Sequence, residues 1–254
     1  IVSDNLLRGA AGTEVNVTYK RQGKTKTVKI IRESLEIKAV PHYSMVDDKT
    51  GYVVLRKFNN KASVETISAI RALKNQGATQ LILDLRGNPG GLLSEAVNVT
   101  NIFVPQNQLV VTTKSKVKKY NKTYYTQREP IDTEIPLVVL VDGSSASASE
   151  IVAGALQDHK RALIMGSQTF GKGSVQSVIP VSNTSAMRLT TARYYTPSGI
   201  SIQAKGIEPD IEVLMARIET LEGGITREEN LEGALDSNAE DDKDASDTKP
   251  AQKF

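Results

Sequence analysis

Three apolar runs, each followed at once by a turn rich in glycine or serine, constrain the fold of this chain most strongly. The runs cover residues 81–85, 137–141 and 162–165. Helical periodicity accompanies them over residues 63–76, 92–101 and 146–157. Alternation of strands and helices implies right-handed crossovers between parallel strands. The sequence therefore predicts an α/β fold with a mostly parallel core sheet.

Composition excludes several kinds of chemistry before any motif is considered. The chain has 254 residues, of which 39% are hydrophobic and 24% are charged, and its net charge is +3. It contains no cysteine, so thiol nucleophiles, disulfides and thiolate metal sites are excluded. Its two histidines, His42 and His159, lie in boundary-like polar contexts. If the chain catalyses hydrolysis, lysine is therefore the best remaining base.

A serine cluster follows the apolar run that ends at Val141. Serine occupies positions 144, 145, 147 and 149, just before a predicted helix. Capping of the helix accounts for one or two of these hydroxyls. A nucleophile at a helix N-terminus also gains from the helix dipole as negative charge develops on the substrate. We therefore expect one of these serines to be a nucleophile, although the residues alone do not select which one.

Lys172 lies in a glycine frame, Phe-Gly-Lys-Gly-Ser, after the third apolar run. A neutral lysine can take the proton of a serine hydroxyl, and burial near Phe170 would favour that neutral form. The spacing also resembles a phosphate-binding P-loop. That motif requires Ser or Thr directly after the lysine, whereas Gly173 follows here, and residues 175–180 have an extended pattern. A general base is the favoured role, and a surface lysine in a glycine turn is the alternative.

Two further segments leave alternatives open. The turn Asn88-Pro89-Gly90-Gly91 has backbone amides free to form an oxyanion hole, although glycine turns after strands are common. Residues 106–134 are basic and rich in tyrosine. Such a stretch could bind nucleic acid, but we favour an edge hairpin whose lysines protect the sheet edge from further pairing, and we expect no nucleic-acid partner.

Three segments together resemble the carboxyl-terminal processing proteases, also called tail-specific proteases. They are residues 83–91 (LDLRGNPGG), 145–151 (SASASEI) and 169–176 (TFGKGSVQ). The resemblance covers about residues 1–235. It implies a Clp-protease/crotonase-like α/β core with a mostly parallel sheet, preceded by a partial PDZ-like, β-rich segment.

The resemblance also implies the roles of individual residues. The family's nucleophile precedes its lysine by twenty-five positions, which selects Ser147 as the nucleophile and Lys172 as the general base. Gln176 would orient the lysine. The oxyanion donors would be the backbone amides of Ala148 and of Gly90 or Gly91.

The implied organisation has three parts. Residues 1–40 resemble the C-terminal half of a PDZ domain with its linker, residues 41–235 resemble the protease core, and residues 236–254 are predicted to be a disordered acidic tail. The chain begins at Ile1 without a signal peptide, so we expect a fragment or a processed product. By resemblance the protein would be periplasmic or in the cell envelope.

The predicted function is that of a serine endopeptidase that cleaves polypeptides near their C-terminal tails with a Ser–Lys dyad. No metal or cofactor is implied, and the expected partners are protein or peptide substrates. The sequence leaves membrane-associated partners and a homo-oligomer open. One alternative is a catalytically silent peptide-binding scaffold with the same fold. A crotonase-like acyl-CoA enzyme is another, although no adenine or pyrophosphate site is visible.

Overall fold

A computed structural model of the chain describes residues 4–35 and 37–213. Spatial proximity groups Ile1–Leu214 into one compact unit. The predicted acidic tail, residues 236–254, lies outside the described residues. The division at residue 40 and the PDZ-like character of the preceding segment stay predictions.

Twelve strands and four α-helices are found among the described residues. The strands are β1 (Glu14–Arg21), β2 (Lys24–Ile31), β3 (His42–Met45), β4 (Thr50–Val54), β5 (Gln80–Asp84), β6 (Leu109–Lys114), β7 (Lys122–Tyr125), β8 (Leu137–Val141), β9 (Leu163–Gly166), β10 (Ser174–Pro180), β11 (Ala186–Tyr195) and β12 (Ile211–Glu212). The helices are α1 (Asp4–Leu7), α2 (Ala62–Asn75), α3 (Leu93–Phe103) and α4 (Ala148–Asp158), with a 3₁₀ turn at Lys118–Tyr120.

The core sheet has six strands in the order β12-β9-β8-β5-β4-β3. Every neighbouring pair is parallel except β3–β4. Val53, Leu83, Val139 and Ile164 pair in register across four of these strands, and each is almost completely buried. Strands buried on both faces explain the continuous apolar runs in the sequence. The predicted α/β core with a mostly parallel sheet is confirmed.

A second sheet is antiparallel, with the order β10-β11-β6-β7. The basic segment forms β6 and β7, and β7 is an edge strand, as expected for that segment. The sequence of residues 200–203 predicts another strand, but this prediction is wrong, because only an isolated bridge joins Tyr195 to Ser201. The chain turns there instead, and the Ile202 carbonyl accepts hydrogen bonds from the amides of Lys205 and Gly206.

The amino-terminal segment forms the expected hairpin, β1 paired with β2. Val15 pairs with Ile30 and Val17 with Val28, so apolar side chains share one face. That face is poorly covered within the described residues, and Ile30 is 46% exposed. A two-stranded hairpin buries too little apolar surface to be stable by itself.

The start of α2 differs from its expected form. The sequence pattern predicts Ser63 as the N-cap and Val64 on the buried face, but the helix begins at Ala62 after Lys61. The amide of Ser63 donates instead to the Glu95 carboxylate of α3, at 2.7 Å. Val64, expected on the buried face, is exposed. No helix in the described part of the chain is long and apolar enough to span a membrane.

Candidate active site

The candidate site lies at the carboxyl ends of β5, β8 and β9, which are adjacent parallel strands. Parallel strands end at the same edge of a sheet, and open α/β sheets bind ligands at that edge. The glycine turn follows β5, the serine cluster follows β8 and the lysine loop follows β9. The sheet order therefore brings together three segments that are far apart in the sequence.

Two hydroxyls of the serine cluster bind buried carbonyls, whereas Ser147 is the N-cap of α4 and Ser144 is exposed. Ser145 and Ser149 are fully buried. Ser145 Oγ donates to the Leu85 carbonyl at 2.8 Å, and Ser149 Oγ donates to the Asn88 carbonyl at 2.9 Å. Ser147 is half-buried at the start of α4, with φ +57° and ψ −109°. A positive φ is strained for serine, and such strain is common at functional sites.

Asn88 attaches the glycine turn to the serine turn. Its side chain is fully buried, and its amide nitrogen donates to the Leu55 carbonyl at 2.7 Å. Its side-chain oxygen accepts from the Gly90 amide at 2.9 Å. Its backbone carbonyl accepts from the amide of Ala146 at 3.0 Å, in addition to the Ser149 hydroxyl. The two turns are thus held in contact by one satisfied polar residue.

The two glycines of this turn differ in what their amides can do. Gly90 has φ +93°, and a β-carbon placed there would lie 2.6 Å from the Ala146 carbonyl oxygen and 2.8 Å from the Ala148 amide nitrogen. Because the Gly90 amide already donates to Asn88, it is not free to hold an oxyanion. The amides of Gly91 and Ala148 have no acceptor within residues 4–35 and 37–213. This geometry favours Gly91 over Gly90 as the glycine donor.

Glu150 links the serine turn to the lysine loop. It is fully buried, and one carboxylate oxygen accepts from the amides of Ser147 and Lys172 at 2.7 and 2.9 Å. The other oxygen accepts from the Thr169 hydroxyl and the Gly171 amide at 2.7 and 2.6 Å. No role for Glu150 is predicted from the sequence. Its position three residues after a capping serine is a pattern that could have revealed it.

The side chains of Lys172 and Gln176 do not reach the predicted arrangement. Both residues are exposed, and Phe170, expected to bury the lysine, is 65% exposed. Among the described residues, no acceptor lies within hydrogen-bonding distance of the lysine ammonium. The backbone is nevertheless held, since the Gly173 carbonyl accepts from the Tyr194 amide at 2.7 Å. The structure places the lysine loop at the site but leaves the lysine side chain in solvent.

The strand before the glycine turn ends in a charged cluster. Arg86 donates to both carboxylate oxygens of Asp84, at 2.9 and 2.7 Å, and the Tyr52 hydroxyl donates at 2.5 Å. Burial alone would raise the pKa of Asp84, but hydrogen bonds from Arg86 and Tyr52 lower it below its usual value. Burial and the Asp84 carboxylate raise the pKa of Tyr52. Asp84 is therefore ionised, and its hydrogen bonds hold Arg86 just before the glycine turn.

Neither histidine is placed as a base. His42 Nε2 lies 3.1 Å from Ser44 Oγ on β3, and His159 Nε2 lies 2.7 Å from the Leu109 carbonyl oxygen. Within the described ranges, no three His, Asp or Glu side chains are grouped to hold a metal ion.

Comparison with known proteins agrees with this arrangement. Residues 49–213 match the model described as peptidase family S41. A carboxy-terminal-processing protease of Bartonella bacilliformis is 42% identical over 245 residues, which cover 93% of this chain and 56% of that protein. A carboxyl-terminal-processing protease of Picosynechococcus sp. is 38% identical over 210 residues, 80% of this chain and 50% of that protein.

A solved photosystem II D1 C-terminal processing protease superposes with a TM-score of 0.63 at 35% identity, covering 81% of this chain and 56% of that one. The fold and these matches identify the class of this chain as that of the serine-type peptidases. The chain belongs to peptidase family S41. It spans about half the length of the curated relatives it matches.

Proposed function

We propose that this chain carries the catalytic centre of a serine endopeptidase, with Ser147 as nucleophile and Lys172 as general base. The observation that carries the proposal is the Glu150 carboxylate, which accepts hydrogen bonds from the amides of both residues. One buried side chain thus ties the serine turn to the lysine loop. Nucleophile and base must be held within reach of one another for such catalysis.

The proposed reaction has two halves. Ser147 Oγ attacks the carbonyl carbon of the scissile peptide while its proton passes to the neutral Lys172 amine. The peptide C–N bond then breaks, the lysine returns the proton to the leaving amine, and an acyl-enzyme remains. In the second half, Lys172 takes a proton from water and the hydroxide attacks the ester carbonyl carbon. The ester C–O bond breaks, the lysine gives its proton to Ser147 Oγ, and the carboxylic acid product leaves and ionises in water.

Charge on the tetrahedral intermediate needs donors that are already in place. In this proposal they are the amide of Ala148, which follows Ser147 directly, and the amide of Gly91, which follows the Gly90 that contacts the serine turn. Ala148 is also the first residue of α4, so the positive end of that helix faces the developing oxyanion.

The exposed Lys172 side chain points to a role for the substrate in completing the dyad. An ammonium in water keeps its proton, and removal of water favours the neutral amine. A polypeptide lying across Lys172 and the exposed Phe170 ring would exclude that water. Gln176, four residues further along on β10, is the residue we expect to orient the amine.

The substrate class and location rest on the relatives. Two of them are named as carboxyl-terminal processing proteases, which favours cleavage near the C-terminal tails of polypeptides. A periplasmic or cell-envelope location follows from the same resemblance.

A fluorophosphonate probe tests the proposal, because it reacts with activated serine hydroxyls. We expect a single adduct on Ser147, absent in Ser147→Ala and strongly reduced in Lys172→Ala. Ser144→Ala is the matched control, since Ser144 is an exposed serine of the same turn. An adduct that persists in Ser147→Ala would refute the nucleophile. Absence of both labelling and peptide cleavage in the wild type would favour the catalytically silent scaffold.

A further inference from the structure

An open cavity of about 610 Å³ lies on the antiparallel sheet, and its lining includes no residue of the serine turn or the lysine loop. Strand β11 and the segment that begins at Lys114 line it. The cavity has three cationic side chains, Lys114, Lys116 and Arg193, and none of its lining residues is Asp or Glu. The mechanism proposed above does not use it.

Two of these cations face each other directly. Lys114 pairs with Arg193 across β6 and β11, so their side chains project from the same face at the closest cross-strand spacing. Like charges in this position destabilise a sheet. In the described part of the chain, neither has a carboxylate partner. An anion bound between them would neutralise this pair of like charges.

The rest of the cavity suits a polypeptide better than a small anion. The Lys114 ammonium lies 4.5 Å from the centre of the Tyr195 ring, which holds it over the cavity. Leu189 and Val117 add exposed aliphatic surface on either side, at 45% and 50% exposure. Aliphatic walls around a cation pair match a carboxylate side chain flanked by apolar neighbours.

The position of the cavity relates it to the candidate active site. Thr190, one of its lining residues, pairs with Gln176 across β11 and β10. Strand β10 begins two residues after Lys172. A chain bound at Ser147 and Lys172 therefore needs to cross only β10 to reach the cavity.

We propose that this cavity binds an acidic segment of the substrate polypeptide, at a distance from the scissile bond. The inference rests on the proposed function, since it takes the bound polypeptide to be the substrate. Charge complementarity selects the segment, and the aliphatic walls select polypeptide over phosphate.

Binding of two matched peptides to the Ser147→Ala protein tests the proposal without turnover. One peptide carries three Asp or Glu residues, and its twin carries Asn or Gln at the same positions. We expect the acidic peptide to bind about tenfold more tightly in low salt, by fluorescence anisotropy. In a protein that also carries Lys114→Gln and Arg193→Gln the difference should fall to about twofold. Lys122→Gln, on neighbouring β7 but outside the cavity, should keep it.

A charge swap guards against loss of fold as an explanation. With Lys114→Glu and Arg193→Glu together, a lysine-bearing twin should bind more tightly than the acidic peptide. An unchanged preference in either double variant would overturn the inference. Tighter binding of a single-stranded oligonucleotide, or of a vesicle rich in phosphatidylglycerol, than of the acidic peptide would also overturn the inference if the same variants abolished that binding.

Failure of this inference and failure of the proposed function are distinguishable. If Ser147 is labelled by the fluorophosphonate but the acidic peptide binds no more tightly than its neutral twin, only the proposed role of the cavity is refuted. Acidic preference without labelling or cleavage would leave a peptide-binding surface and remove the protease mechanism, together with the claim that the bound peptide is a substrate.

Discussion

At the scale of single residues, hydrogen bonding distinguishes serines that are adjacent in the sequence. Ser145 and Ser149 satisfy buried carbonyls, whereas the Ser147 hydroxyl lies at a strained turn. We expect Ser147→Ala to abolish cleavage and to lower the free energy of unfolding by about 1 kcal/mol, the usual cost of losing an N-cap hydroxyl. Ser145→Ala and Ser149→Ala should each cost about 1 kcal/mol and keep measurable cleavage. Urea denaturation and a peptide assay measure both, and a wild-type rate in Ser147→Ala would exclude it as nucleophile.

Glu150 is expected to act by position rather than by contact with substrate. In Glu150→Gln, two of the four hydrogen-bond donors would face the NH₂ group of glutamine and lose their acceptor. We expect this variant to lower the free energy of unfolding by about 2 kcal/mol. We also expect it to lower kcat about a hundredfold, because the serine turn and the lysine loop would no longer be held together. Glu95→Gln is the control, because Glu95 is a buried carboxylate that accepts from Ser63 on the neighbouring helix α2 and contacts neither the serine turn nor the lysine loop in the described residues. It should reduce stability without slowing fluorophosphonate labelling. Equal slowing in both variants would show that Glu150 is merely structural.

The lysine is tested by a variant that keeps its charge. Arginine remains protonated throughout the accessible pH range, so Lys172→Arg should lose nearly as much activity as Lys172→Ala. An arginine variant with near wild-type kcat/KM would mean that positive charge, and not proton transfer, is what the site requires.

At the scale of elements, the close approach of the glycine turn to the start of α4 sets the geometry of the site. Gly90→Ala places a β-carbon within 3 Å of backbone atoms at a positive φ. We expect it to cost about 3 kcal/mol and to slow labelling of Ser147. Gly77→Ala is the matched control, with φ +100° and open space around it, and should cost about 1 kcal/mol without affecting labelling. Equal losses of stability and equal labelling rates in the two variants would show that the cost comes from the positive φ and not from contact between the glycine turn and the serine turn.

At the scale of the whole molecule, one ion pair joins segments 58 residues apart, Lys74 at the end of α2 and Asp132 before β8. Burial would raise the pKa of Asp132, but Lys74 and the amides of Ile135 and Glu134 lower it from 3.8 to about 2. A carboxyl with a lowered pKa stabilises the fold above the unfolded-state value, and that stability is lost as pH falls towards 2.

Asp132→Asn tests this linkage, since asparagine keeps the acceptor for both amides and removes only the charge. We expect a loss of about 1 kcal/mol at pH 7 that shrinks between pH 4 and pH 2, measured by urea denaturation. A loss that stays constant with pH would assign the effect to packing.

Local patterns were sufficient for much of the fold. Apolar runs ending in small residues predicted β5, β8 and β9, and their carboxyl-end turns predicted where a site would lie. These signals are short-range, because strand pattern and turn chemistry depend on neighbouring residues. Residues 200–203, where the pattern predicts a strand that does not form, are an exception. Ile202 is apolar and fully buried, yet it lies at a turn, where its amide donates to the Tyr194 carbonyl.

What the sequence determined by itself is the α/β class, the family and the identity of the segments that meet at the site. The tertiary structure decided which groups in those segments are free. In the folded chain the Gly90 amide donates to Asn88, and the Glu150 carboxylate accepts from the serine turn and from the lysine loop. The Lys172 side chain is exposed to solvent. The physical reason is that a buried polar group must find a partner, and here the partners come from loops after different strands, as with Ser149 and Asn88, 61 residues apart.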